Sequence, residues 1–397
     1  MISIQEALNL IAIHAKSFGT EVLSIEDALG RVIAQDVVAD RDYPPFNRSA
    51  MDGYAVQSAD MNPAQQNQFQ VIEHVLAGNV PEKVVTSGTC IKIMTGAPVP
   101  AGADAVIRIE EARGQGQMVS LNPAFVKPGK NIAWQGEDAR KGDILIKQNK
   151  WLDAPAMTTL AVTGHHRIQV EKLPKVAIVS TGNEIIPVDA PVGAHQIRDS
   201  NSFAIKSALK RFQVQSPVTA IVPDDKAVLK ETIHHFLDKD IIIVSGGVSK
   251  GDADYVPEVL SSLGIQQVFH QVKVKPGAPL WFGISPNGGV VFGLPGNPLS
   301  VQIACRIFLE PYLSACFKIE SRPPVTFPFI SQRTKKSKFD EFFPCRIVAH
   351  SPFSGLLPLV HNGSGDITST LQSDGIALHP AHVPQLTDNT PVDFYFW

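Results

Sequence analysis

The sequence predicts a protein of several domains, in which a central doubly wound, mostly parallel α/β domain is joined to β-rich regions. A chain of 397 residues is too long for one ordinary hydrophobic core. Residues 175–312 alternate short β-branched runs with helical patterns, which indicates a mostly parallel sheet covered by helices on both faces. Residues 69–126 and the tail from residue 322 are instead short β-like runs broken by glycine and proline. The fold class expected is therefore mixed α/β and β.

Composition and charge exclude several classes of protein. The hydrophobic fraction of 44% and the charged fraction of 18% are typical of a soluble globular protein. A net charge of -3 gives no general reason to expect nucleic-acid binding. The compact basic cluster of Arg333, Lys335, Lys336 and Lys338 lies among polar residues and is interpreted as a solvated loop. No apolar run reaches transmembrane length, so no membrane interaction is expected.

The N-terminus and the cysteines indicate a cytoplasmic protein. The first residues lack the basic lead, apolar core and cleavage site of a signal peptide. The 4 cysteines form no close C-x-x-C pair, which argues against a zinc cage or a disulfide framework and suits a reducing compartment.

The N-terminal part of the chain mixes helices with weaker strand patterns. Apolar residues at helical spacing predict a helix over residues 4–12, followed by a helical turn over residues 24–29. Residues 32–40 alternate weakly, as in a strand. A further helix begins after Asp153 and ends at Gly164.

The spacing of these elements predicts the domain organisation. We expect the helix after Asp153 to rejoin the N-terminal segment, so that the residues between them form an inserted β-rich domain. The tail is predicted to be a small β-barrel or a sandwich. The predicted domains are an N-terminal mixed domain, an inserted β-rich domain, an α/β domain and a C-terminal β domain, at residues 1–43 plus 141–172, 44–140, 173–318 and 319–397.

The stretch at residues 241–260 combines a strand with a glycine turn and polar side chains. A bare β-branched run is typical of a strand buried on both faces. It continues into Ser245, Gly246, Gly247, Ser249, Lys250, Asp252 and Asp254, and then into a helical pattern. Glycine lets backbone N–H groups converge on a ligand, so this order is typical of a phosphate-and-metal site. An ordinary tight turn would carry the same glycines.

Three further strands of the predicted sheet also run into polar turns. Glu184 follows the strand at residues 176–179, and Asp224 follows the strand at residues 218–222. The loop GLPGNP, with Pro295 and Pro298, follows the strand that ends near residue 292. Ligands bind beyond the carboxyl ends of such strands, so we expect these turns to converge with Asp254.

Seven motifs in order carry a resemblance to a known family. They are FNRSAMDGYAV, IMTGAPVPAGADAVI, NIAWQGEDARKGD, VAIVSTGNEI, VSGGVSKGDADY, VKPGAPLWFG and GLPGNPLSV, with a weaker one at NGSGDITS. Together they span the chain from residue 46 to the tail. The sequence resembles the molybdopterin molybdenumtransferase family, the cofactor-insertion enzymes related to the E domain of gephyrin.

The resemblance implies a specific architecture and reaction. It implies a MogA-like central domain, an elongated N-terminal linker domain and a C-terminal β-barrel. It also implies a homodimer in which the sheet domain of one subunit faces the inserted domain of the other. The substrates would be adenylylated molybdopterin and molybdate, and the products molybdenum cofactor and AMP. A MogA-like adenylylating protein would supply the substrate.

The resemblance also implies site residues, carried over by motif. Those in the inserted domain are Asp52 in SAMDGYA, Thr95 in MTGAPVP and Asp138 in GED. Those in the sheet domain are Glu184, Asp224, Asp254, Lys275 in VKPG, and Pro295 and Pro298. Ser364 is carried over from the tail. The residues expected to act in catalysis are Asp52, Thr95, Glu184 and Asp254.

These residue types suit the implied chemistry. The amides and hydroxyl groups of Ser245, Gly246, Gly247 and Ser249 would hold phosphate, with Lys250 or Lys275 offsetting its charge. Glu184 and Asp254 would hold Mg²⁺, a hard cation that prefers oxygen ligands. Asp52 would position water or the metal, and Thr95 with nearby loop amides would bind molybdate.

Some of these residues also have a structural interpretation. Turn capping is the alternative for Asp52 and Glu184, and it fits Asp138 and Asp224 as well as a site role does. The proline loop is expected to shape the site, because proline supplies no acid, base or charge.

The chain departs from the family pattern at four positions. Ala278 stands where the family often has a second lysine, and Gln271 where many members have a basic residue. Asn183 replaces a common aspartate, and Lys250 replaces a commonly apolar residue. Fewer positive charges therefore surround Lys275.

Two other functions remain alternatives. A nucleotide pyrophosphatase of the competence-damage type would share the central sheet but would leave SAMDGYA and the inserted domain unexplained. A non-catalytic molybdopterin carrier or scaffold would tolerate the altered basic positions.

Overall fold

A computed structural model describes residues 1–62, 67–114, 116–249, 254–350 and 353–397. The chain divides into two compact units. The first, called here the sheet unit, comprises Met1–Ala34, Asn149–Asp153 and Arg167–Trp397; the second, called the inserted unit, comprises Gln35–Gln148 and Ala154–His166. The predicted division into four domains is finer than these two units and stays a prediction. Within the described residues, no helix is both long and apolar enough to cross a membrane.

The described helices and strands are as follows. The α-helices are α1 (Ile4–Ile13), α2 (Ala154–Val162), α3 (Asn201–Lys210), α4 (Lys226–His235), α5 (Val256–Ser262), α6 (Pro298–Ala304), α7 (Glu310–Cys316) and α8 (Thr368–Leu371). A π-helical segment, Cys305–Leu309, joins α6 to α7, and short 3₁₀ turns occur at Ser58–Asp60, Ile109–Glu111 and Pro123–Phe125. The strands are β1 (Thr20–Ser24), β2 (Val37–Val38), β3 (Arg48–Ser49), β4 (Gly53–Val56), β5 (Gln68–Val75), β6 (Thr89–Ile93), β7 (Ala105–Arg108), β8 (Ala112–Arg113), β9 (Met118–Leu121), β10 (Ile132–Ala133), β11 (Ile144–Ile146), β12 (Arg167–Glu171), β13 (Val176–Thr181), β14 (Ile185–Ile186), β15 (Ile197–Arg198), β16 (Val218–Val222), β17 (Ile241–Ser245), β18 (Gln266–His270), β19 (Val274–Lys275), β20 (Trp281–Ile284), β21 (Val290–Leu294), β22 (Val325–Pro328), β23 (Arg333–Thr334), β24 (Asp340–His350), β25 (Phe353–Pro358), β26 (Gly375–His379), β27 (Gln385–Leu386) and β28 (Pro391–Phe396).

The sheet unit is built around a six-stranded sheet in the order β16-β13-β17-β21-β20-β18. The first four strands are parallel, β20 is antiparallel to β21, and β18 is antiparallel to β20. Every residue of β13, β17 and β21 is buried, as the bare apolar runs predict. The predicted mostly parallel sheet is confirmed.

Helices cover both faces of this sheet. Successive side chains of a strand point to opposite faces, so a strand that is apolar at every position needs a helix layer on each side. Ile243 belongs to the same apolar cluster as Leu209 of α3, whereas Ile242 belongs to another cluster with Ile233 of α4. The doubly wound arrangement predicted for this region is therefore confirmed.

The predicted helical turn over residues 24–29 is shorter than expected: the Asp27 and Ala28 N–H groups donate to the Ser24 and Ile25 carbonyls, both at 3.2 Å. Residues 20–24 form β1, which pairs in antiparallel orientation with β12. The Ser24 hydroxyl donates to Asp27 Oδ2 at 2.8 Å and so closes a turn after this strand. The Gly30 N–H then donates to the Leu152 carbonyl at 2.8 Å, a distant partner that a local pattern does not reveal.

The other predictions for the N-terminal region agree more closely with the structure. Helix α1 is confirmed, with Ser3 and Glu6 forming a capping box at its start. Helix α2 is also confirmed. The strand predicted over residues 32–40 is shorter than expected, because only Val37–Val38 forms a strand and pairs with β11.

The inserted unit is β-rich, as predicted. Its main sheet has the order β7-β4-β6-β5-β9-β8, in which only the β5–β6 pair is parallel. Two apolar clusters pack on its faces, one around Tyr54 and Phe69 and the other around Ile91 and Val106.

The tail forms a closed ring of strands. Strand β24 pairs with β26, β26 with β28, and β28 with β22. Strand β25 pairs with the other edge of β24, and a bridge between Phe329 and Leu356 joins it to the end of β22. Phe329, Phe343 and Phe394 fill the interior. The predicted C-terminal β-barrel is confirmed.

The solvated loop predicted for the basic cluster is correct for Lys336 and Lys338 only. Arg333 is largely buried and forms an ion pair with Glu341 at 2.7 Å. Lys335 donates to the Phe339 carbonyl at 2.7 Å. Folding of the barrel adds a distant acceptor for Lys335, the His379 carbonyl at 3.3 Å.

Candidate functional site

A cleft of about 470 Å³ lies at the carboxyl ends of the parallel strands in the sheet unit. It is lined by polar turns that follow β13, β16, β17 and β21. Eight of the predicted site residues line it: Glu184, Asp224, Gly246, Gly247, Ser249, Asp254, Pro295 and Pro298. Parallel strands end at one edge of a sheet, which is why turns that are distant in sequence meet here.

The turn after β17 requires glycine for steric reasons. Gly246 has a φ of +97°, and a Cβ at this position would lie 2.5 Å from the Thr181 carbonyl oxygen. Gly247 has a φ of +63°. The Gly246 N–H already donates to the Leu294 carbonyl at 3.1 Å. Among the described residues, the Gly247 N–H and the Ser249 hydroxyl group are candidate donors to an anion in this turn.

Ser245 has a different environment from its neighbours. It is fully buried and is not part of the cleft lining. Its hydroxyl accepts a hydrogen bond from Asn201 Nδ2 at 2.9 Å and donates to the Pro295 carbonyl at 3.3 Å. The structure thus uses this hydroxyl to hold helix α3 and the proline loop together. Lys250, the other predicted neighbour, lies outside the described residues.

Asp224 joins the turns that follow β13 and β16. Its Oδ1 accepts from the Thr181 hydroxyl at 3.0 Å, and its Oδ2 accepts from the Asn183 N–H at 3.3 Å. The Asp224 N–H donates in return to Asn183 Oδ1 at 3.1 Å. Asp224 therefore caps a turn and lines the cleft at the same time, and the departure at Asn183 preserves an acceptor.

Glu184 presents its carboxylate to the cleft over Gly182. A Cβ on Gly182 would lie 2.8 Å from Glu184 Oε2 and 2.9 Å from Oε1, so this position also favours glycine. The hydrogen bond that Glu184 contributes to the turn comes from its backbone carbonyl, which accepts from the Ile197 N–H at 2.8 Å. The side chain of Glu184 is exposed.

The cleft contains oxygen ligands suited to Mg²⁺. Glu184 and Asp254 both line it. Among the described residues, no three or more His, Cys, Asp or Glu side chains are grouped as a metal site. Mg²⁺ is commonly held by one or two carboxylates together with substrate phosphates, so a pair of carboxylates is sufficient for this ion.

Sequence reasoning missed several residues of the cleft. Arg198, Asp199, Asn201 and Asn297 also line it. Asp199 Oδ1 accepts from the Ser180 hydroxyl at 3.0 Å and from the Ser202 N–H at 3.1 Å. Polar residues commonly cap the start of a helix, so their residue types alone do not indicate a position at the cleft.

Ser364 from the tail contacts the proline loop of the cleft. Its Oγ accepts from Asn297 Nδ2 at 2.7 Å, and its carbonyl accepts from the Leu299 N–H at 3.1 Å. The second bond satisfies a donor in the first turn of α6. Lys275 does not line the cleft; its Nζ lies 3.4 Å from Glu341 Oε1.

In the inserted unit, Asp52 and Thr95 form a closely bonded pair. Asp52 Oδ1 accepts from the Thr95 N–H at 2.7 Å and from the Thr95 hydroxyl at 2.8 Å. These two bonds hold the pKa of the Asp52 carboxyl below its ordinary value. The Thr95 hydroxyl hydrogen is already used, so the hydroxyl would have to turn away from Asp52 to donate to molybdate.

The backbone around this pair is tightly constrained. The Gly96 N–H donates to the Ser49 carbonyl, and the Ser49 N–H donates to the Ala97 carbonyl, both at 2.9 Å. A Cβ on Gly53 would lie 1.9 Å from the Ile107 carbonyl oxygen, so only glycine fits after Asp52. These contacts place the two loops side by side.

Asp138 is held in the same unit through its backbone. Its N–H donates to the Tyr43 carbonyl at 2.9 Å, and the residue is exposed. Its side chain is therefore accessible, but its role stays a prediction.

Comparison with known proteins identifies the family. A family described as the MoeA N-terminal region (domain I and II) matches residues 2–164, and one described as a probable molybdopterin binding domain matches residues 177–315. A molybdopterin molybdenumtransferase of Synechocystis sp. is 31% identical over 406 aligned positions, covering 100% of both chains. The chain belongs to the molybdopterin molybdenumtransferase family.

Other members of the molybdopterin molybdenumtransferase family agree with this assignment. A protein of that name from Staphylococcus epidermidis is 29% identical, covering 96% of this chain and 91% of its own. A crystal structure of a molybdopterin biosynthesis MoeA protein from Pyrococcus horikoshii has a TM-score of 0.84 at 28% identity, covering 100% of both chains. The predictions of the family, the multidomain fold and an enzyme of this type are confirmed.

Proposed function

We propose that this protein inserts molybdenum into adenylylated molybdopterin, using molybdate, and releases molybdenum cofactor and AMP. The observation that carries the proposal is the cleft at the carboxyl ends of β13, β16, β17 and β21. Its walls combine carboxylates, a hydroxyl group and a glycine turn, which are the groups needed to bind a phosphoanhydride and a hard cation. Membership of the family supports the same reaction.

In this proposal the turn after β17 binds a phosphate of the substrate. The Gly247 N–H and the Ser249 hydroxyl donate to its oxygens, while Gly246 keeps the backbone in the required conformation. Ser245 and Asn201 support the turn from inside the protein. Pro295 and Pro298 shape the opposite wall.

Glu184 and Asp254 are proposed to hold Mg²⁺ against the phosphoanhydride. When bound, this ion supplies charge neutralisation at the bond that breaks as AMP leaves. Asp224 holds the turns after β13 and β16 together through its hydrogen bonds from Thr181 and Asn183.

Asp52 is proposed to position the attacking water. Its pKa is low because of its two hydrogen bonds from Thr95, so the carboxylate is ionised at neutral pH. We further propose that Asp52, Thr95 and Asp138 reach the cleft from the partner subunit of a homodimer. A cytoplasmic MogA-like adenylylating protein is the proposed supplier of the substrate.

The proposal is tested by incubating the purified protein with adenylylated molybdopterin, magnesium and molybdate. We expect molybdate-dependent release of AMP together with active molybdenum cofactor. Binding of the substrate without turnover would instead support a carrier or scaffold. AMP release from ordinary dinucleotides, independent of molybdate, would support a pyrophosphatase.

The proposed dimer has its own test. Mixing an Asp52→Ala chain with a Glu184→Ala chain would restore activity if a site combines residues from two subunits. Sedimentation velocity on each variant alone checks that both assemble as the unaltered protein does. A lack of any restored activity in mixed dimers would contradict a shared site.

A further inference from the structure

A cluster of charged and polar side chains in the tail is held together by an ion pair and hydrogen bonds. Glu341 Oε2 accepts from Arg333 Nη2 at 2.7 Å. Arg333 Nη1 lies 2.8 Å from Nδ1 of His379, whose Nε2 lies 2.8 Å from the Val383 carbonyl oxygen. The guanidinium of Arg333 also lies 4.1 Å from the centre of the Phe343 ring. Glu341 and His379 are both buried.

The hydrogen bonds define the charge state of this cluster. Arginine can only donate, so His379 Nδ1 accepts, and the proton of a neutral ring then lies on Nε2 and bonds to the Val383 carbonyl. Burial, with the nearby charge of Arg333, lowers the pKa of His379 to about 4. Burial acts to raise the pKa of Glu341, but Arg333 and Lys275 together hold it below its ordinary value. At neutral pH the cluster therefore contains an ionised Glu341 fixed by Arg333 and a neutral histidine.

The second oxygen of Glu341 is directed to a residue of the α/β region. Strand β19 pairs in parallel with β24, and the register places Lys275 beside Glu341. Lys275 Nζ lies 3.4 Å from Glu341 Oε1, whereas Arg333 binds Oε2. One carboxylate thus bridges a largely buried arginine and a lysine whose side chain is 62% exposed.

The segment that carries Lys275 packs against the cleft. A Cβ on Gly277 would lie 3.7 Å from Ser300 Cβ and 3.8 Å from Pro295 Cγ. Pro279 lines the cleft. The chain two to four residues beyond Lys275 therefore borders the cleft, while Lys275 itself is not among the lining residues, and Ala278 supplies no second ammonium group there.

We propose that Glu341, fixed by Arg333, is a positioning residue that holds the Lys275 ammonium at the rim of the cleft for an oxyanion of the substrate. This inference rests on the proposed function, because it assigns a role at the same site. The oxyanion is either the phosphate of the adenylylated substrate or molybdate, since both present negatively charged oxygens that an ammonium group binds. Arg333 supplies the rigidity, because it keeps Glu341 ionised and oriented whether or not Lys275 is engaged.

A double-mutant cycle tests this role. The variants are Lys275→Met, Glu341→Gln and the two combined. Calorimetry measures the binding of AMP and of molybdate separately to each variant. Turnover is measured as the KM and kcat of AMP release. Because Lys275 is well exposed, we expect Glu341→Gln to weaken binding of one oxyanion about threefold to fivefold, with kcat less affected than KM. In the Lys275→Met background the same substitution should have no further effect.

Two further variants separate positioning from stability. Glu341→Asp keeps a carboxylate for Arg333 but shortens its reach to Lys275, so it should reproduce the weaker binding without a large change in melting temperature; it replaces Glu341→Gln in the cycle if that variant does not fold. Asp238→Asn removes an exposed carboxylate that pairs with Lys239 at 2.7 Å, and it should change neither binding nor KM.

The outcomes are distinct for the two proposals. The positioning role would be overturned if the Glu341 substitution weakened oxyanion binding equally with and without Lys275→Met. It would also be overturned if the binding of both oxyanions were unchanged. Absence of turnover by the unaltered protein would contradict the proposed function, and the cycle on oxyanion binding would still decide the role of Glu341. Weaker binding of AMP alone assigns Lys275 to the phosphate, and weaker binding of molybdate alone assigns it to molybdate.

Discussion

Asp52 and Thr95 are joined by two hydrogen bonds to a single carboxylate oxygen, at 2.7 and 2.8 Å. The second oxygen, Oδ2, takes no part in this pair. Because one oxygen is fixed by two donors, the direction of the other is defined as well. A carboxylate held in this way is suited to orienting a water molecule, since its position need not change during the reaction.

Replacing Asp52 by Asn tests that role. The amide keeps an acceptor for Thr95 but loses the charge, so we expect turnover to fall by about 10² or more while the protein stays folded. The matched control is Asp60→Asn, because Asp60 also accepts from a serine hydroxyl and a backbone N–H, at 3.1 and 3.2 Å. AMP release and melting curves are measured on both. Full activity of Asp52→Asn would place the site elsewhere.

Replacing Glu184 by Gln tests the proposed magnesium ligand. A neutral amide is a weaker ligand for a hard cation, so the magnesium concentration for half-maximal activity should rise by about tenfold or more. The fold should be unchanged, because the hydrogen bond of Glu184 to Ile197 comes from its backbone. Asp189→Asn, on a nearby exposed part of the chain, serves as the control. An unchanged magnesium requirement would remove Glu184 from the metal site.

The sheet and its cleft could be predicted because their signals are local. A strand buried on both faces is apolar at every position, as Ile241–Ser245 largely is, and its polar turn follows directly. Parallel strands end at one edge, so Glu184, Asp224 and Asp254 could be placed together without knowing any contact between them.

The errors concern partners that are distant in the chain. The strand Thr20–Ser24 was not predicted, because it forms by pairing with Arg167–Glu171, far along the chain. Arg333 is buried because barrel formation brings Glu341 and His379 to it. Whether a hydroxyl group points into a cleft or into the core also depends on contacts that form only in the folded chain.

Ser245 and Ser249 illustrate that last point and are expected to respond differently to alanine. Ser245→Ala removes one of the two acceptors of the Asn201 amide, so the protein should lose about 1–3 kcal/mol of stability with little change in AMP binding. Ser249→Ala should weaken AMP binding with little change in stability, because Ser249 is exposed in the cleft lining. Urea unfolding and calorimetry on both variants make the comparison. The reverse pattern would return Ser245 to the phosphate site.

His379 should make stability depend on pH. Its pKa is about 4 in the folded protein, against an ordinary value of 6.5, so between these values the unfolded chain binds the extra proton. Stability is therefore complete above about pH 6.5 and falls as the pH decreases towards 4, by at most about 3 kcal/mol. His379→Gln provides an acceptor and a donor that do not titrate. The urea midpoint of this variant should change less between pH 7 and pH 4.5 than that of the unaltered protein; equal changes would contradict the assignment.

Gly246 and Gly296 lie in facing turns of the cleft and provide a matched pair for the last prediction. Alanine at position 246 would place its Cβ 2.5 Å from the Thr181 carbonyl oxygen at a φ of +97°, whereas the nearest atom to a Cβ at position 296 is 3.8 Å away. A left-handed conformation alone costs a non-glycine residue about 1–2 kcal/mol, and the contact with a backbone oxygen adds to it. We expect Gly246→Ala to lose about 3 kcal/mol or more of stability, and Gly296→Ala to lose about 1 kcal/mol or less. Urea unfolding of the two variants measures the difference, and similar losses would show that the turn after β17 tolerates a side chain and does not need the conformation proposed for phosphate binding.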